Sequence, residues 1–229
     1  MESTAVSRRS HLFGRVAARV ALISVISLAL VPAAATAASA SLLPSLVSSV
    51  ASVLPSCAAT PTVTPFQHWG DSSSYFLMPS GDFESGATGW TTSEGVAVAN
   101  ENESYFVNNP ADTQSLAMST NQLTISPTVC VAMGENTIRL FVKNPGVAGS
   151  VLHIQAFVQN PLTGLVLSTG FDLKSSTGTA SWSPTSRLLI PNLLGGVLGT
   201  QRLTLAFSTS GVPAKWNIDD VYVDPFKSR

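Results

Sequence analysis

The sequence predicts an all-β protein folded as a single β-sandwich or jelly roll. Three observations carry that expectation. From Phe66 onward, short apolar runs are separated by Gly, Pro, Asn and Ser clusters, the punctuation of strands and turns. No stretch of about ten residues keeps a helical apolar period there. Charged residues make up only 11% of the chain, and Val, Leu, Thr, Ser and Gly are abundant, a composition suited to half-buried pleated surfaces.

The chain opens on what reads as an export signal over residues 1–40. Arg8, Arg9, Arg15 and Arg19 form a basic start, an apolar run spans Val20 to Val31, and small-residue cleavage patterns follow at Ala35-Thr36-Ala37 and Ala38-Ser39-Ala40. Twelve helical residues rise about 18 Å, short of a hydrocarbon core of roughly 30 Å, so no retained transmembrane anchor is expected. Ser7-Arg8-Arg9 leaves Sec and twin-arginine export both open. The expected location is secreted or extracellular, with association to the cell envelope an alternative. The whole chain has 12 basic and 13 acidic residues; without the four Arg and one Glu of the first forty, eight face twelve, a net charge of −4. Scattered bases on a mildly acidic chain offer no footprint for nucleic acid.

Residues 41–65 read as linker and lead-in, uncharged at first and then rich in Pro and Thr. Cys57 and Cys130 are the only cysteines, and an oxidising compartment favours a disulfide between them. It would close a loop of about 70 residues, worth about 4 kcal/mol in the chain-entropy account. A lipid-modified Cys57 and two buried thiols are the alternatives.

The sandwich is expected over residues 66–226. Its strand candidates are Tyr75–Met78, Gly95–Ala99, Tyr105–Val107, Ser115–Met118, Leu123–Ser126, Thr137–Lys143, Val151–Gln159, Leu165–Thr169, Thr179–Trp182, Arg187–Ile190, Arg202–Ser208 and Trp216–Asp224. Side chains alternate faces along a strand, so Ile138, Leu140 and Val142, then Leu152, Ile154, Ala156 and Val158, then Leu203, Leu205 and Phe207 should face the core. Asn144 to Ser150 has turn chemistry that would join the first two of these strands as a hairpin. In the last strand Ile218, Val221 and Val223 all want the core, yet the step from 218 to 221 is odd. An extra residue must be absorbed as a bulge at Asp219-Asp220.

Two segments then stand out: GDFESGATGW, Gly81 to Trp90, and WNIDDVYVDP, Trp216 to Pro225. Together they resemble the opening and closing motifs of carbohydrate-binding modules of families 4, 9 and 22, which share a galactose-binding-domain-like jelly roll. The resemblance runs over roughly residues 75–225, and its specific part is confined to the two end motifs. It implies that the first and last strands pair beside a structural calcium, with Glu84 and Asp220 as the chief side-chain ligands and Asp82 and Asp219 beside them. Calcium takes six to eight hard oxygens, which gathered carboxylates supply. Neutralisation by Lys215 or Arg202, or simple exposure to water, are the competing readings. Ser80 departs from the Asn usual in the family, so the turn into the first motif is expected to differ.

The resemblance also implies a polysaccharide or cell-surface glycan as partner, held on the non-core face of the central strands. That face offers Arg139, Phe141, His153, Gln155 and Phe157, with Arg202 and Thr204 near them. It is poor in Trp and Tyr, whose rings combine flat area with a hydrogen-bonding tip; a loop covering it would make it structural. Phe83 and Trp90 read as core, while Trp216 and Tyr222 could pack or cap. Trp69, between His68 and Asp71, reads as a plug over one end of the sandwich, or else as part of a site. The apolar run Leu188 to Gly199 reads as a lid or as a patch for a protein partner.

Enzyme signatures are missing: no G-x-S-x-G, no H-E-x-x-H, no phosphate-cradling glycine loop and no C-x-x-C. Beyond the leader only His68 and His153 remain, which makes a Ser-His triad hard to build. The expected function is a secreted non-catalytic module. The alternatives are an envelope or extracellular interaction domain without a sugar site, favoured by the lack of an accompanying catalytic domain in these 229 residues, and a small hydrolase using two carboxylates across a groove.

Overall fold

The computed structural model describes residues 60–131, 137–145, 148–174, 181–191 and 201–224. The expected leader, most of the linker, Cys57 and the greater part of Leu188 to Gly199 lie outside the described residues, and so does any test of the disulfide. Thirteen strands run through the described residues: β1 Phe76–Leu77, β2 Thr91–Thr92, β3 Ala97–Ala99, β4 Ser115–Ser119, β5 Leu123–Ile125, β6 Val129–Val131, β7 Thr137–Lys143, β8 Val151–Gln159, β9 Val166–Lys174, β10 Ser183–Pro184, β11 Leu188–Leu189, β12 Gln201–Ser210 and β13 Lys215–Asp224. A 3-10 turn over Gln67–Trp69 is the single helical element among them. No helix among the described residues is long and apolar enough to cross a membrane.

The strands form two antiparallel sheets. The first runs β10-β7-β13-β4-β3, with β1 also on β13 and β11 also on β7. The second runs β2-β5-β12-β8-β9, with β6 also on β12. This is a jelly-roll sandwich, and period-two alternation decides what lies between its sheets. Ile138, Leu140, Ile218, Val221 and Val223 from the first sheet meet Leu152, Ile154, Ala156, Val158, Leu203, Leu205 and Phe207 from the second in one buried cluster. Phe83 and Trp90 join it, their ring centroids 5.1 Å apart, and the Trp90 indole N–H donates to Pro79 O at 3.0 Å. Trp216 is core as well, donating to Ser150 Oγ at 2.6 Å.

Three expectations about local structure need correction. Asn144 to Ser150 does not close a hairpin: β7 and β8 belong to different sheets, so this loop carries the chain across the sandwich. Both strands bury an apolar face against the same core, and facing each other across it satisfies both. Tyr105–Val107 is not a strand, because the buried Glu103 carboxylate takes the N–H groups of Tyr105 at 2.5 Å and Val107 at 2.7 Å, leaving them none for a ladder. Phe106 adopts φ +53°, which no strand allows. Trp182 lies just before β10 rather than inside a strand.

The expected bulge in the last strand is present. Its register against β7 shifts between Asp219 and Tyr222, and Asp220 takes φ +48°. The opening motif docks on the strand just past that bulge. Phe76 pairs with Val223, Met78 N donates to Val221 O at 2.9 Å, and Val221 N donates to Gly81 O at 3.0 Å. Ser80, at the turn into the first motif, sits at φ +51°, a conformation that Asn tolerates better. A Cβ on Gly81 would stand 3.0 Å from Met78 O and 3.1 Å from Val221 O. Gly81→Ala is therefore expected to force these two backbones apart and destabilise the fold by about 1–3 kcal/mol in denaturant titration.

Candidate functional site

The lead-in segment builds the first part of the site. It folds over the outward face of the first sheet, where Phe66, Tyr75, Phe141, Trp182 and Tyr222 form a second buried cluster. Asp71 ties the segment down. Its carboxylate accepts from Arg139 Nη1 at 2.8 Å, Tyr75 OH at 2.7 Å and Ser73 N at 3.1 Å, and it pairs with Arg187. Burial alone would raise the Asp71 carboxyl, but these donors, Arg187 first, hold it well below the usual carboxylate range. Arg139 also donates from Nε and Nη2 to Thr185 O, at 2.9 and 2.7 Å, and its guanidinium lies 4.1 Å from the Phe66 ring centroid.

Above this buried cluster stands an aromatic rim. Trp69 and Tyr105 meet edge to face at 4.9 Å, and both rest on Phe141, at 5.5 and 5.7 Å. Tyr105 is 45% exposed and the adjoining Phe106 47% exposed. Gln67 and His68 of the 3-10 turn, and Asn108 and Asn109 of the next loop, are exposed polar residues close in sequence to these rings. A left-handed Phe106 stores backbone strain of the kind found at ligand clamps.

The second part of the site is a knot of six carboxylates beside the bulge: Asp82, Glu84, Glu103, Asp112, Asp219 and Asp220. Asp219 Oδ2 accepts from Glu103 N at 2.8 Å, and Asp219 Oδ1 from Asp220 N at 2.8 Å. Glu84 Oε1 accepts from Thr113 N at 2.7 Å and Gln114 N at 2.5 Å. Asn108 Nδ2 donates to Asp112 at 2.9 Å and to Asp82 at 3.4 Å. Buried Asp220 Oδ1 finds no hydrogen-bond partner among the described residues. None of the ion pairs Arg139–Asp71, Arg187–Asp71, Lys143–Glu101 and His153–Asp172 involves the knot.

Its electrostatics follow from that imbalance. Burial first, and the neighbouring negative charges next, push Asp219 up to about 9 and Asp220 up to about 8. Burial raises Glu103, against the pull of the N–H groups it collects, and it raises Asp112, to which Glu84 and Asp82 add. The Tyr222 hydroxyl, buried and without a partner among the described residues, is raised by burial and then by Asp220. A cation would relieve all of these groups together. Among the described residues no three His, Cys, Asp or Glu side chains converge on one point. As placed, the half-buried Asp82 and Glu84 and the buried Asp112 do not enclose an ion with Asp220 Oδ1. The orphaned oxygen and the hard oxygen set fit calcium.

The residues anticipated from sequence are thus partly brought together. Glu84, Asp82, Asp219 and Asp220 share one knot; Glu103 and Asp112 belong with them and were missed. The sugar platform is divided. Arg139 and Phe141 lie on the first sheet, buried beneath the lead-in, whereas His153, Gln155 and Phe157 lie on the outward face of the second. Period-two alternation identifies side chains facing away from the core, but a sandwich has two such faces. Phe157 is itself buried there, packed with Ile125 and Ala206. Trp69, read as a plug or as part of a site, is half-buried against the second cluster and forms one side of the rim.

No protein-family model matches the chain, and no curated protein matches it. Several solved structures are similar to it. The enzymatically active domain of tailspike protein 4 from bacteriophage CBA120 is 14% identical with a TM-score of 0.46, over 64% of this chain and 21% of the tailspike chain. TmCBM61 in complex with beta-1,4-galactotriose is 16% identical with a TM-score of 0.39, over 64% of this chain and 96% of that one. The CBM22-1 xylan-binding domain of Xyn10C from Paenibacillus barcinonensis is 17% identical with a TM-score of 0.40, over 75% of this chain and 100% of that domain. The chain spans about a fifth of the tailspike's length. Carbohydrate-binding modules are thus among its structural neighbours, while its jelly-roll architecture rests on its own two sheets.

Proposed function

We propose that this chain is an exported module that binds a carbohydrate at the rim of Trp69, Tyr105 and Phe106, and that a calcium ion in the carboxylate knot keeps the rim in place. The supporting observation is the double role of Glu103. Its backbone N–H is fixed by Asp219 inside the knot, and its carboxylate gathers the N–H groups of Tyr105 and Val107. Ordering the knot therefore orders the loop that presents Tyr105 and Phe106. Flat rings with exposed faces stack on the apolar faces of pyranose rings, and the polar tips of Trp and Tyr reach hydroxyls. In an oxidising compartment Cys130 pairs with Cys57; alkylation before reduction should then leave both unmodified.

Affinity electrophoresis in gels containing soluble polysaccharides, preceded by a glycan array, tests the sugar site. The wild-type chain is expected to be retarded by at least one glycan. Tyr105→Ala should weaken that binding about tenfold, the loss of roughly one stacking contact. Retention that is unchanged in both Tyr105→Ala and Trp69→Ala would move the site elsewhere. Failure of the wild type to bind any glycan would overturn the reading and leave an extracellular interaction domain in its place.

A further inference from the structure

The outward face of the second sheet carries an arrangement that the rim and the knot do not use. Asp172 on β9 stands opposite His153 on β8, and Ser210 at the end of β12 lies diagonally across from it. His153 Nδ1 is 2.7 Å from Asp172 Oδ1, and His153 Nε2 is 2.7 Å from Ser210 Oγ. An ionised carboxylate can only accept, so Asp172 fixes the tautomer with hydrogen on Nδ1. The Nε2 lone pair then accepts the Ser210 hydroxyl proton. Both ring nitrogens are thereby held in line across three neighbouring strands. The backbone beyond Ser210 is constrained as well: Gly211 takes φ +92°, and a Cβ there would lie 2.5 Å from Gly149 O.

We propose that Ser210 is an activated nucleophile that accepts acyl groups from small carboxylic esters, with His153 as its general base and Asp172 as a positioning residue. This goes beyond carbohydrate binding and is independent of it. In the first step Ser210 Oγ bonds to the ester carbonyl carbon while its proton passes to His153 Nε2. The tetrahedral adduct then expels the alkoxide, which takes that proton and leaves as the alcohol. In the second step His153 deprotonates water, which attacks the acyl-serine; a carboxylic acid is released and the serine hydroxyl is restored. The roles follow Ser-His-Asp chemistry, which is defined by geometry and not by chain order or fold. The face is half-exposed to water, so the acceleration is that of a positioned base, roughly 10²–10⁴-fold.

The test uses the full exported chain with a fluorophosphonate probe and with p-nitrophenyl acetate. The probe bonds through phosphorus to Ser210 Oγ, fluoride leaves, and the proton goes to His153. Expected results are stoichiometric labelling mapped to the Ser210 peptide and measurable hydrolysis of p-nitrophenyl acetate. Ser210→Ala should abolish both, and His153→Gln should slow both about 100-fold or more. Asp172→Asn should slow them and alter the pH profile, with partial recovery in Asp172→Glu. Melting curves establish that each variant is folded. The proposal is overturned if the folded wild type takes no label, or if labelling and hydrolysis survive in folded Ser210→Ala or His153→Gln. None of these outcomes bears on glycan binding.

Discussion

Asp71→Ala is expected to destabilise the protein by about 3–5 kcal/mol, the loss typical when one partner of a buried ion pair is removed. For a domain of this size that corresponds to a fall in Tm of roughly 6–20 °C. The change strips Arg139 Nη1 of its anion and Tyr75 OH of its acceptor, both inside the buried cluster. Arg139 keeps its bonds to Thr185 O, so the cost should not exceed that range. Arg187→Ala, on the exposed side of the same carboxylate, should cost no more than about 1 kcal/mol. Because Asp71 also anchors the segment carrying Phe66 and Trp69, folded Asp71→Ala should lose glycan retention as well as stability. A loss below about 1 kcal/mol in differential scanning calorimetry would show that the lead-in is held by its aromatic rings alone.

The second large effect is a reversal of pH dependence by calcium. Without a cation, Asp219 and Asp220 are protonated in the fold up to about pH 8–9, while the unfolded chain releases those protons near pH 4. Between these limits the folded state binds more protons than the unfolded one, so stability falls as pH rises. Asp71 has the opposite sign: its folded-state pKa is depressed, so its contribution is present above about pH 4 and fades only in stronger acid. Across pH 5–8, therefore, the slope belongs to the knot. Chelated protein is expected to melt several degrees lower at pH 8 than at pH 5. Calcium at a hundred times its Kd should restore about 2.7 kcal/mol at pH 8, a rise of roughly 5–10 °C, and much less at pH 5 where protons compete for the same oxygens.

Much of this was legible because alternation and parity are rigid constraints. TIRLFVK and VLHIQAFVQ form β7 and β8 with the bounds anticipated, since each carries an unbroken apolar set at period two. The three-residue step from Ile218 to Val221 demanded a bulge, and the bulge takes Asp220 off the pleat while Asp219 stays paired opposite Phe141. Which sheet a strand joins was not legible: alternation is local, and the same pattern fits lateral pairing or facing across a core. That ambiguity merged Arg139 and Phe141 with His153, Gln155 and Phe157 into one surface. Glu103 and Asp112 were missed because they lie in irregular loops, where no period marks a side chain as buried. Their one signal was an acidic residue amid Asn-rich turns, a pattern that exposed loops share. The serine of the inferred triad was hidden for a related reason. Ser210 reaches His153 only through the pairing of β12 with β8, two segments far apart in the chain.

Calorimetric titration of calcium into the chelator-treated chain at pH 7.5 probes the proposed cation site around Asp220, where the opening and closing motifs dock. Saturable binding of one ion is expected. Asp220→Asn, which keeps the side-chain shape and suits φ +48°, is expected to remove the binding while raising the stability of the chelated protein, because the amide is neutral without taking up a proton on folding. A wild-type chain that binds no calcium, or an Asp220→Asn chain that binds it as well as wild type, would rule out a cation site at Asp220.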